Sequence, residues 1–443
     1  MKIVMFTDAY WPRVNGVTVS VDSFSHALVR RGNEVMIVCP FYPELPVAER
    51  LSIAHSAAPE HKPEPVVVRV PSIGVQILSK EDRVARFEKL FWVSQHIEAF
   101  NPDILHINTE FMLAEFGLYY ASMYGVPSVY TFHTLWEDYI TNYLPFLPPA
   151  ALKSFAKSVI KKFLRRTNRV IVPSEQIGEV VKQYNIKKRT HLLPTGIDPA
   201  LFTHDDEEIA AYRVLIEQKY PSLRGKRILL FAGRISGEKN IEFLLAIAPL
   251  IIEKHPEVAF LFVGNGPDLH SFKQEAVRLG VADACVFTGY LSREDLALTY
   301  GMSDIFVFPS LTETQGLVTI EAMLSGTPVV AIGAMGTLMV MGGDNGGFMV
   351  KDDKDEFVRR VFELLEDDEL YRRKAVEARE HAQAWTIDTM AIKLEKIYQG
   401  TIDAFQRAVK NNTLFQLRNK TKEAVDLIAE VIEKNKNDDS VHK

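Results

Sequence analysis

Glu313 and Glu321 are separated by seven residues within Ser310-Leu311-Thr312-Glu313-Thr314-Gln315-Gly316-Leu317-Val318-Thr319-Ile320-Glu321-Ala322-Met323. Carboxylates accept hydrogen bonds, so such a pair suits a ligand rich in hydroxyl groups. The apolar run Asp304-Ile305-Phe306-Val307-Phe308-Pro309 ahead of it reads as a buried parallel strand. A helix is expected from near Gly316 to a stop at Ser325-Gly326-Thr327-Pro328. One carboxylate then sits in a loop and the other inside a helix, with the helix N-terminus between them. The free N–H groups and positive dipole end there favour a phosphate. A ligand carrying both a diphosphate and sugar rings would satisfy every part. A surface acidic pair beside an ordinary loop is the competing reading.

Other chemistry-bearing residues recur where strands end. Gly233-Arg234-Ile235-Ser236-Gly237-Glu238-Lys239-Asn240 follows the apolar run Lys226–Ala232. Arg234 and Lys239 can set two fixed positive charges against a diphosphate, with a solvated basic loop as the alternative. Gly264-Asn265-Gly266-Pro267 and Gly289-Tyr290-Leu291 are strand-end loops against which a flat base could lie. Thr7-Asp8 closes the first strand, and Asp8 either faces a cleft or caps a neighbouring loop. Asn15-Gly16 permits a positive φ and close approach of backbone to phosphate, with a helix beginning near Val17–Ser20, or else forms a plain turn. His133 ends the run Val129-Tyr130-Thr131-Phe132, ahead of Trp136, Glu137 and Asp138. A histidine at a strand's carboxyl end faces the cleft of an open α/β sheet, although a structural histidine remains the alternative.

The elements that must position these residues alternate strand with helix. Strands are expected at Lys2–Thr7, Glu34–Val38, Val66–Val70, Asp103–Ile107, Ser128–Phe132, Arg169–Val172 and Thr190–Leu193, with helices at Ser20–Arg31, Lys80–Phe100 and Glu175–Tyr184. A second series runs through Lys226–Ala232, Val258–Val263, Ala284–Thr288, Asp304–Phe308 and Pro328–Ile332. The pattern implies α/β architecture with two parallel-sheet, Rossmann-like domains. The boundary is placed between Pro194 and Arg224, which divides the chain into 1–195 and 196–385, with a polar tail over 411–443.

With 443 residues, 47% hydrophobic and 24% charged, the chain has the composition of a globular protein of two or three domains. A net charge of -6 argues against nucleic acid as a partner. The two cysteines, Cys39 and Cys285, fall in apolar strands and read as core residues. Neither a secretory signal nor a membrane-spanning run is apparent, so a cytoplasmic location is expected.

One local charge pattern departs from the acidic whole. Over Ala150–Thr167 the residues Leu152, Phe155, Val159, Ile160 and Phe163 form an apolar helical stripe. Lys153, Lys157, Lys161 and Arg165 form a second stripe, joined by Lys162, Arg166 and Arg169, with no acidic residue among them. Such a helix suits an anionic membrane surface, whereas packing on the sheet with a merely wet lysine face is the alternative.

Taken together, these motifs resemble those of the retaining GT-B glycosyltransferases of the GT4 family. The resemblance runs from Met1 to about Tyr398 and rests on Glu313-x7-Glu321, on Gly233-Arg234 with Glu238-Lys239-Asn240, and on Thr7-Asp8, Pro12, Asn15-Gly16-Val17 and His133-Thr134. It is strongest towards enzymes that glycosylate diacylglycerol or phosphatidylinositol at the inner membrane face. The implied fold is GT-B, two facing domains around a central cleft. The implied donor is a nucleotide-sugar, UDP-glucose first, bound mainly by the second domain. Arg234 and Lys239 would hold its diphosphate, Glu321 its ribose, and Glu313 its sugar hydroxyls. The backbone at Gln315, Gly316 and Leu317 would touch sugar and phosphate. The loops at Gly264-Asn265 and Tyr290 would hold the base, Gly233 would bind substrate beside Arg234, Asp8, Asn15 and Gly16 would approach from the first domain, and His133 would hydrogen-bond the transferring sugar. The last helices, from near Trp385 to about residue 410, would cross back onto the first domain.

The resemblance further implies retention by attack from the leaving-group face, with neither metal nor cofactor. The Asp353-Lys354-Asp355 pattern is expected in a charged loop away from the strand ends. After Gly333 the family often carries a Gly-rich turn with Pro and Glu, whereas this chain reads Ala334-Met335-Gly336-Thr337-Leu338-Met339-Val340, so no role passes to that loop. The expected partners are the nucleotide-sugar, an anionic membrane surface and a lipid acceptor, with no obligate protein partner, at the cytoplasmic membrane face. The same chemistry on a soluble polyol or saccharide, or a non-catalytic sugar-nucleotide or lipid-binding role, are the rival readings.

Overall fold

The computed structural model describes residues 1–13, 15–43, 64–75, 83–133, 148–186, 188–313 and 315–411. The first lobe contains β1 (Lys2–Phe6), α1 (Gly16–Arg30), β2 (Glu34–Pro40), β3 (Val66–Val70), β4 (Ser72–Gly74), β5 (Arg83–Ala85) and α2 (Leu90–Phe100). It continues with β6 (Ile104–Ile107), α3 (Met112–Tyr124), β7 (Ser128–Thr131), α4 (Pro149–Arg166), β8 (Arg169–Val172), α5 (Glu175–Gln183) and β9 (Thr190–Leu192). Seven strands form one sheet in the order β3-β2-β1-β6-β7-β8-β9, with every pair parallel. The continuous apolar character of β1 and β2 follows, since a parallel sheet is covered on both faces.

After α6 (Asp206–Lys219) comes the second lobe, with β10 (Arg227–Ala232), α7 (Ile241–Lys254), β11 (Val258–Val263), α8 (Leu269–Arg278), β12 (Cys285–Gly289) and α9 (Arg293–Met302). Then follow β13 (Ile305–Phe308), α10 (Leu317–Leu324), β14 (Val329–Ile332), α11 (Met335–Met341), β15 (Gly347–Val350), α12 (Lys354–Glu366), α13 (Asp368–Ala382) and α14 (Ile387–Lys410). Its six strands run β12-β11-β10-β13-β14-β15, again all parallel. Phe231, Phe262, Phe306 and Phe308 stack through the middle of this sheet. Both sheets place the carboxyl ends of their central strands at crevices where the strand order reverses, the usual ligand position in open α/β sheets.

The last helix belongs to the first lobe. Ile387, Met390, Leu394, Ile397 and Tyr398 of α14 are buried in one cluster with Ile3, Met5 and Leu28. Arg31 pairs with Glu395 at 2.8 Å and Arg30 with Asp388 at 3.1 Å. The linker is joined at the same place, where Ile197 N–H donates to the Trp385 carbonyl and Ile387 N–H to the Ile197 carbonyl, a bridge of Ile197 to Thr386.

Two local expectations are corrected, and one strand is added. Within Lys80–Phe100, residues 83–85 are extended and pair antiparallel with Ser72–Gly74, pinned by Arg83 Nε donating to Ser72 Oγ at 2.8 Å, so the helix starts only at Leu90. Asp353 lies at a helix start, where its Oδ1 accepts the Glu356 N–H at 2.9 Å and caps α12. The glycines around Gly347 dilute the apolar signal of β15, which the sequence did not reveal. The polar tail lies outside the described residues.

Candidate active site

Five loops meet at the carboxyl ends of the second sheet. After β10, Gly233 N–H donates to the Val263 carbonyl and Ile235 N–H to the Asn265 carbonyl, stitching this loop to the one after β11. The approach at Gly264 is so close that a Cβ would lie 1.9 Å from the Gly233 oxygen, at a φ of +135°, so only glycine fits. Asn265 is exposed, its Oδ1 accepting from Gly266 N–H at 2.8 Å, and Tyr290, after β12, is 79% exposed. Two faces for a flat base are therefore open.

Lys239 is brought by the loop after β10 onto the loop after β13. Its Nζ donates to Glu313 Oε2 at 2.8 Å, and both side chains are only 17% exposed. Thr312 Oγ1 donates to the Glu238 carbonyl, a second tie between the same loops. The expectation of two fixed cations is corrected by half. Lys239 is held, but Arg234 is 66% exposed and lies 4.0 Å from Glu238, a contact of little energy at a surface.

Gly316 takes a φ of +72° and sets the entry to α10, and among the described residues no side chain caps that helix. Its first-turn N–H groups and dipole point at the Lys239–Glu313 pair's loop. Glu313 Oε1 accepts weakly from Gly316 N–H at 3.4 Å. Leu317 packs its side chain on the core, leaving backbone for any ligand. Gln315 turns its side chain to the linker, where Oε1 accepts the Thr195 N–H at 3.0 Å. One residue of the candidate donor loop therefore holds the joint between the lobes. Glu321, one turn into α10, accepts from the Tyr300 hydroxyl at 3.0 Å. Burial raises its pKa to about 7, against the lowering effects of Tyr300 and Arg293. The loop after β14, to which the sequence lent no role, packs here too, with Gly336 N–H donating to the Glu313 carbonyl at 2.6 Å.

The first lobe meets this arrangement with different chemistry. Of the two readings of Asp8 the structure shows the cap, and its expected substrate contact is corrected: its Oδ2 accepts from Thr109 Oγ1 at 2.6 Å and its Oδ1 from Leu113 N–H at 2.9 Å, so it serves the N-terminus of α3, and burial raises its pKa. Its task here is structural. Asn15 is extended at φ −156°, with Oδ1 accepting from Thr18 N–H at 2.8 Å, and Gly16 is the first residue of α1 without a positive φ. The expected αL turn is thereby corrected to an N-cap. Gly16 is exposed, with nothing within 4 Å of where a Cβ would stand. His133 is partly buried just beyond β7, with Nε2 3.4 Å from Asn108 Oδ1, and burial lowers its pKa to about 4. A small cavity beside it is lined by Ser20, His106, Asn108, Thr131, His133 and Thr195. His106, Asn108 and Thr131 had no place in the sequence reading. The alternation of polar side chains at the ends of β6 and β7 was the available signal. Trp136, Glu137 and Asp138 lie outside the described residues.

The basic helix keeps one face on the sheet. Leu152, Ala156, Ile160, Phe163 and Leu164 of α4 are buried, whereas Phe155, expected in the buried stripe, is 62% exposed among the lysines. Lys162 and Arg166 pair with Glu115 of α3 at 2.8 and 2.6 Å, and Lys153, Lys157 and Arg165 are exposed. Among the described residues no helix is long and apolar enough to cross a membrane, and no three His, Cys, Asp or Glu side chains gather in a metal-holding group.

Comparison with known proteins bears on the family and the fold. Residues 14–201 match the model for glycosyltransferase family 4, and residues 214–381 match that for glycosyl transferases group 1. The α-monoglucosyldiacylglycerol synthase of Streptococcus pneumoniae is 30% identical over 75% of this chain and 71% of its own length. That of Acholeplasma laidlawii is 25% identical over 91% and 98%. Sucrose-phosphate synthase from Thermosynechococcus elongatus superposes with a TM-score of 0.66 at 21% identity, covering 91% of this chain and 99% of that one. HepE from Anabaena in complex with UDP gives 0.66 at 18% identity, covering 90% and 100%.

Proposed function

Because the chain belongs to the GT4 family of GT-B glycosyltransferases, we propose that it moves a hexose, glucose from UDP-glucose first, onto a hydroxyl of diacylglycerol at an anionic membrane surface. The observation that carries the donor half is the uncapped start of α10, set between the Lys239–Glu313 pair and Glu321. The diphosphate lies at the helix N-terminus with Lys239 and the exposed charge of Arg234, the ribose at Glu321, and the hexose at Glu313 and His133. The base rests at Gly264, Asn265 and Tyr290, and Gly16 closes on the phosphate.

As the bond from C1 to the β-phosphate oxygen breaks, positive charge grows on the ring and negative charge on the departing diphosphate. Lys239 and the α10 N–H groups oppose the latter, an effect worth several kcal/mol in related sites. The acceptor oxygen bonds to C1 on the same face, and its proton passes to the departing phosphate oxygen, so configuration is retained. Protein cations fill the role a metal ion would take, so EDTA is expected to leave turnover unchanged. The lipid half is supported by the name of the Streptococcus pneumoniae relative and by exposed Phe155 beside Lys153 and Lys157. An amphipathic helix of that kind gains from both apolar insertion and anionic headgroups.

A donor panel of UDP-glucose, UDP-galactose and GDP-mannose, run with dioleoylglycerol in phosphatidylglycerol vesicles, tests the reading. Glucosylated dioleoylglycerol is the expected product. Equal transfer to a soluble saccharide without vesicles would replace the lipid acceptor, and donor binding without any transfer would replace the enzyme by a binding protein.

A further inference from the structure

Tyr398, from α14, sends its hydroxyl under the floor of the cleft. There it lies 2.6 Å from Nδ1 of His106, while Nε2 of His106 lies 2.7 Å from Thr131 Oγ1. All three are buried, at 0%, 3% and 5% exposure. A neutral imidazole has one donor and one acceptor nitrogen, and a hydroxyl on each side can take the complementary role. Burial, and then the neighbouring His133, lower the His106 pKa to about 3, so the ring is neutral and the three groups form one satisfied chain. Such a chain is stiff, because breaking any link leaves a buried polar atom unpaired.

Its position gives it a task. His106 and Asn108 lie two apart at the end of β6, Thr131 and His133 two apart at the end of β7, and alternate residues of a strand share a face. The two strands are thus laced by two side-chain rungs, His106 with Thr131 and Asn108 with His133. The outer rung, at 3.4 Å, is long and weakly held. The inner rung is anchored by Tyr398, on the helix that enters the first lobe after the whole second lobe has been built.

We propose that Tyr398 is a positioning residue for transfer: through His106 and Thr131 it fixes the end of β7 and so the place of His133 against the hexose. This rests on the reading of His133 given above. The second lobe, which holds most of the donor, does not depend on it.

The test is a double-mutant cycle of Tyr398→Phe and His133→Gln, assayed with UDP-glucose and dioleoylglycerol in phosphatidylglycerol vesicles. Tyr398→Phe is expected to lower kcat about tenfold, the size of effect one misplaced group produces, with donor KM within about twofold. In the His133→Gln background the same change is expected to cost nothing further. Met390→Ala, which truncates α14 in the core away from His106, controls for loss of stability and is expected to lower the thermal midpoint more than it lowers kcat. Additive effects in the cycle, a kcat unchanged by Tyr398→Phe, or an equal kcat loss in Met390→Ala would each overturn the proposal. A His133→Gln enzyme with full activity would remove both this proposal and the role of His133. Absence of wild-type turnover with this pair would instead count against the donor and acceptor named above.

Discussion

At matching strand ends the two lobes hold opposite chemistry. The second lobe presents charge: a Lys239–Glu313 pair at 2.8 Å, an uncapped helix start and an exposed Arg234. The first presents neutral groups: Asp8 is consumed by the start of α3, and burial holds His106 and His133 to pKa values of about 3 and 4. Charge is useful where charge changes during the reaction, at the departing diphosphate. On the proposed placement of the hexose, a neutral imidazole beside it would bind hydroxyls without adding a cation next to a ring that becomes positive. The division of labour follows from where electrons move, and it can be broken one lobe at a time.

The largest effect is expected from Lys239→Met. It removes the held cation and leaves Glu313 without that partner, so on the proposed placement kcat/KM should fall about 10²–10³-fold, as for loss of one preorganised transition-state donor. Glu313→Ala should cost less in donor affinity than in kcat. Steady-state kinetics over a donor series check both, and a Lys239→Met enzyme within threefold of wild type would end the contrast between the lobes.

Next in size is a surface effect. Lys153→Glu with Lys157→Glu reverses two charges on exposed positions of α4 while leaving Leu152, Ile160 and Phe163 packed. At about 1 kcal/mol for each basic residue near an anionic surface, sedimentation with phosphatidylglycerol vesicles should weaken tenfold or more. Binding should hold on to neutral phosphatidylcholine vesicles equally for both proteins. Unchanged sedimentation on anionic vesicles would make the lysines a wet face only.

This asymmetry also explains what was legible in the sequence. Charged residues beside glycine turns announce themselves: Glu313 and Glu321 fall in the loop and the helix as their spacing implied, whereas the Lys239–Glu313 pair joins two loops that no spacing connects. The parallel strands were legible for the same reason that they are buried, as continuous apolar runs. The first lobe's polar chain was not legible, because His106 and Thr131 meet across strands and Tyr398 is 292 residues away from His106. Gln315 was expected to offer only its backbone to a ligand; that its side-chain oxygen accepts the Thr195 N–H is an addition no local pattern encodes. Phe155 belongs to the apolar period of α4 but lies just off the buried arc, a distinction that periodicity alone blurs.

Gln315 offers a test of whether the lobes act independently. Gln315→Ala removes the side chain that accepts the Thr195 N–H and leaves that donor without its partner. A loss of one such bond is worth about 1 kcal/mol, so a fivefold fall in kcat is expected, with vesicle binding untouched. If donor KM alone changed, the contact would serve the donor loop and not the joint.

The smallest expected effect is the most specific to one lobe. Burial raises Glu321 from its ordinary 4.5 to about 7, so the folded chain keeps a proton that the unfolded chain releases. The stability that Glu321 contributes is therefore lost as pH rises from about 4.5 through 7, and that loss is complete above the window. Glu321→Gln is neutral at every pH and escapes this term. The gap in thermal midpoint between variant and wild type should move in the variant's favour across pH 4.5 to 7 and stay level above it. Donor affinity should run the other way, rising in the wild type as the carboxylate forms and accepts hydroxyls, and staying flat in the variant. In the folded chain the first lobe's histidines, lowered by burial to about 3 and 4, stay neutral across this window and leave the affinity profile to Glu321, while their own contribution to stability, which grows as pH rises towards 6.5, is common to variant and wild type and cancels in the gap. A wild-type affinity that is flat between pH 5 and 8 would show Glu321 already ionised, and the contrast in burial between the two lobes would then shrink to a contrast in charge alone.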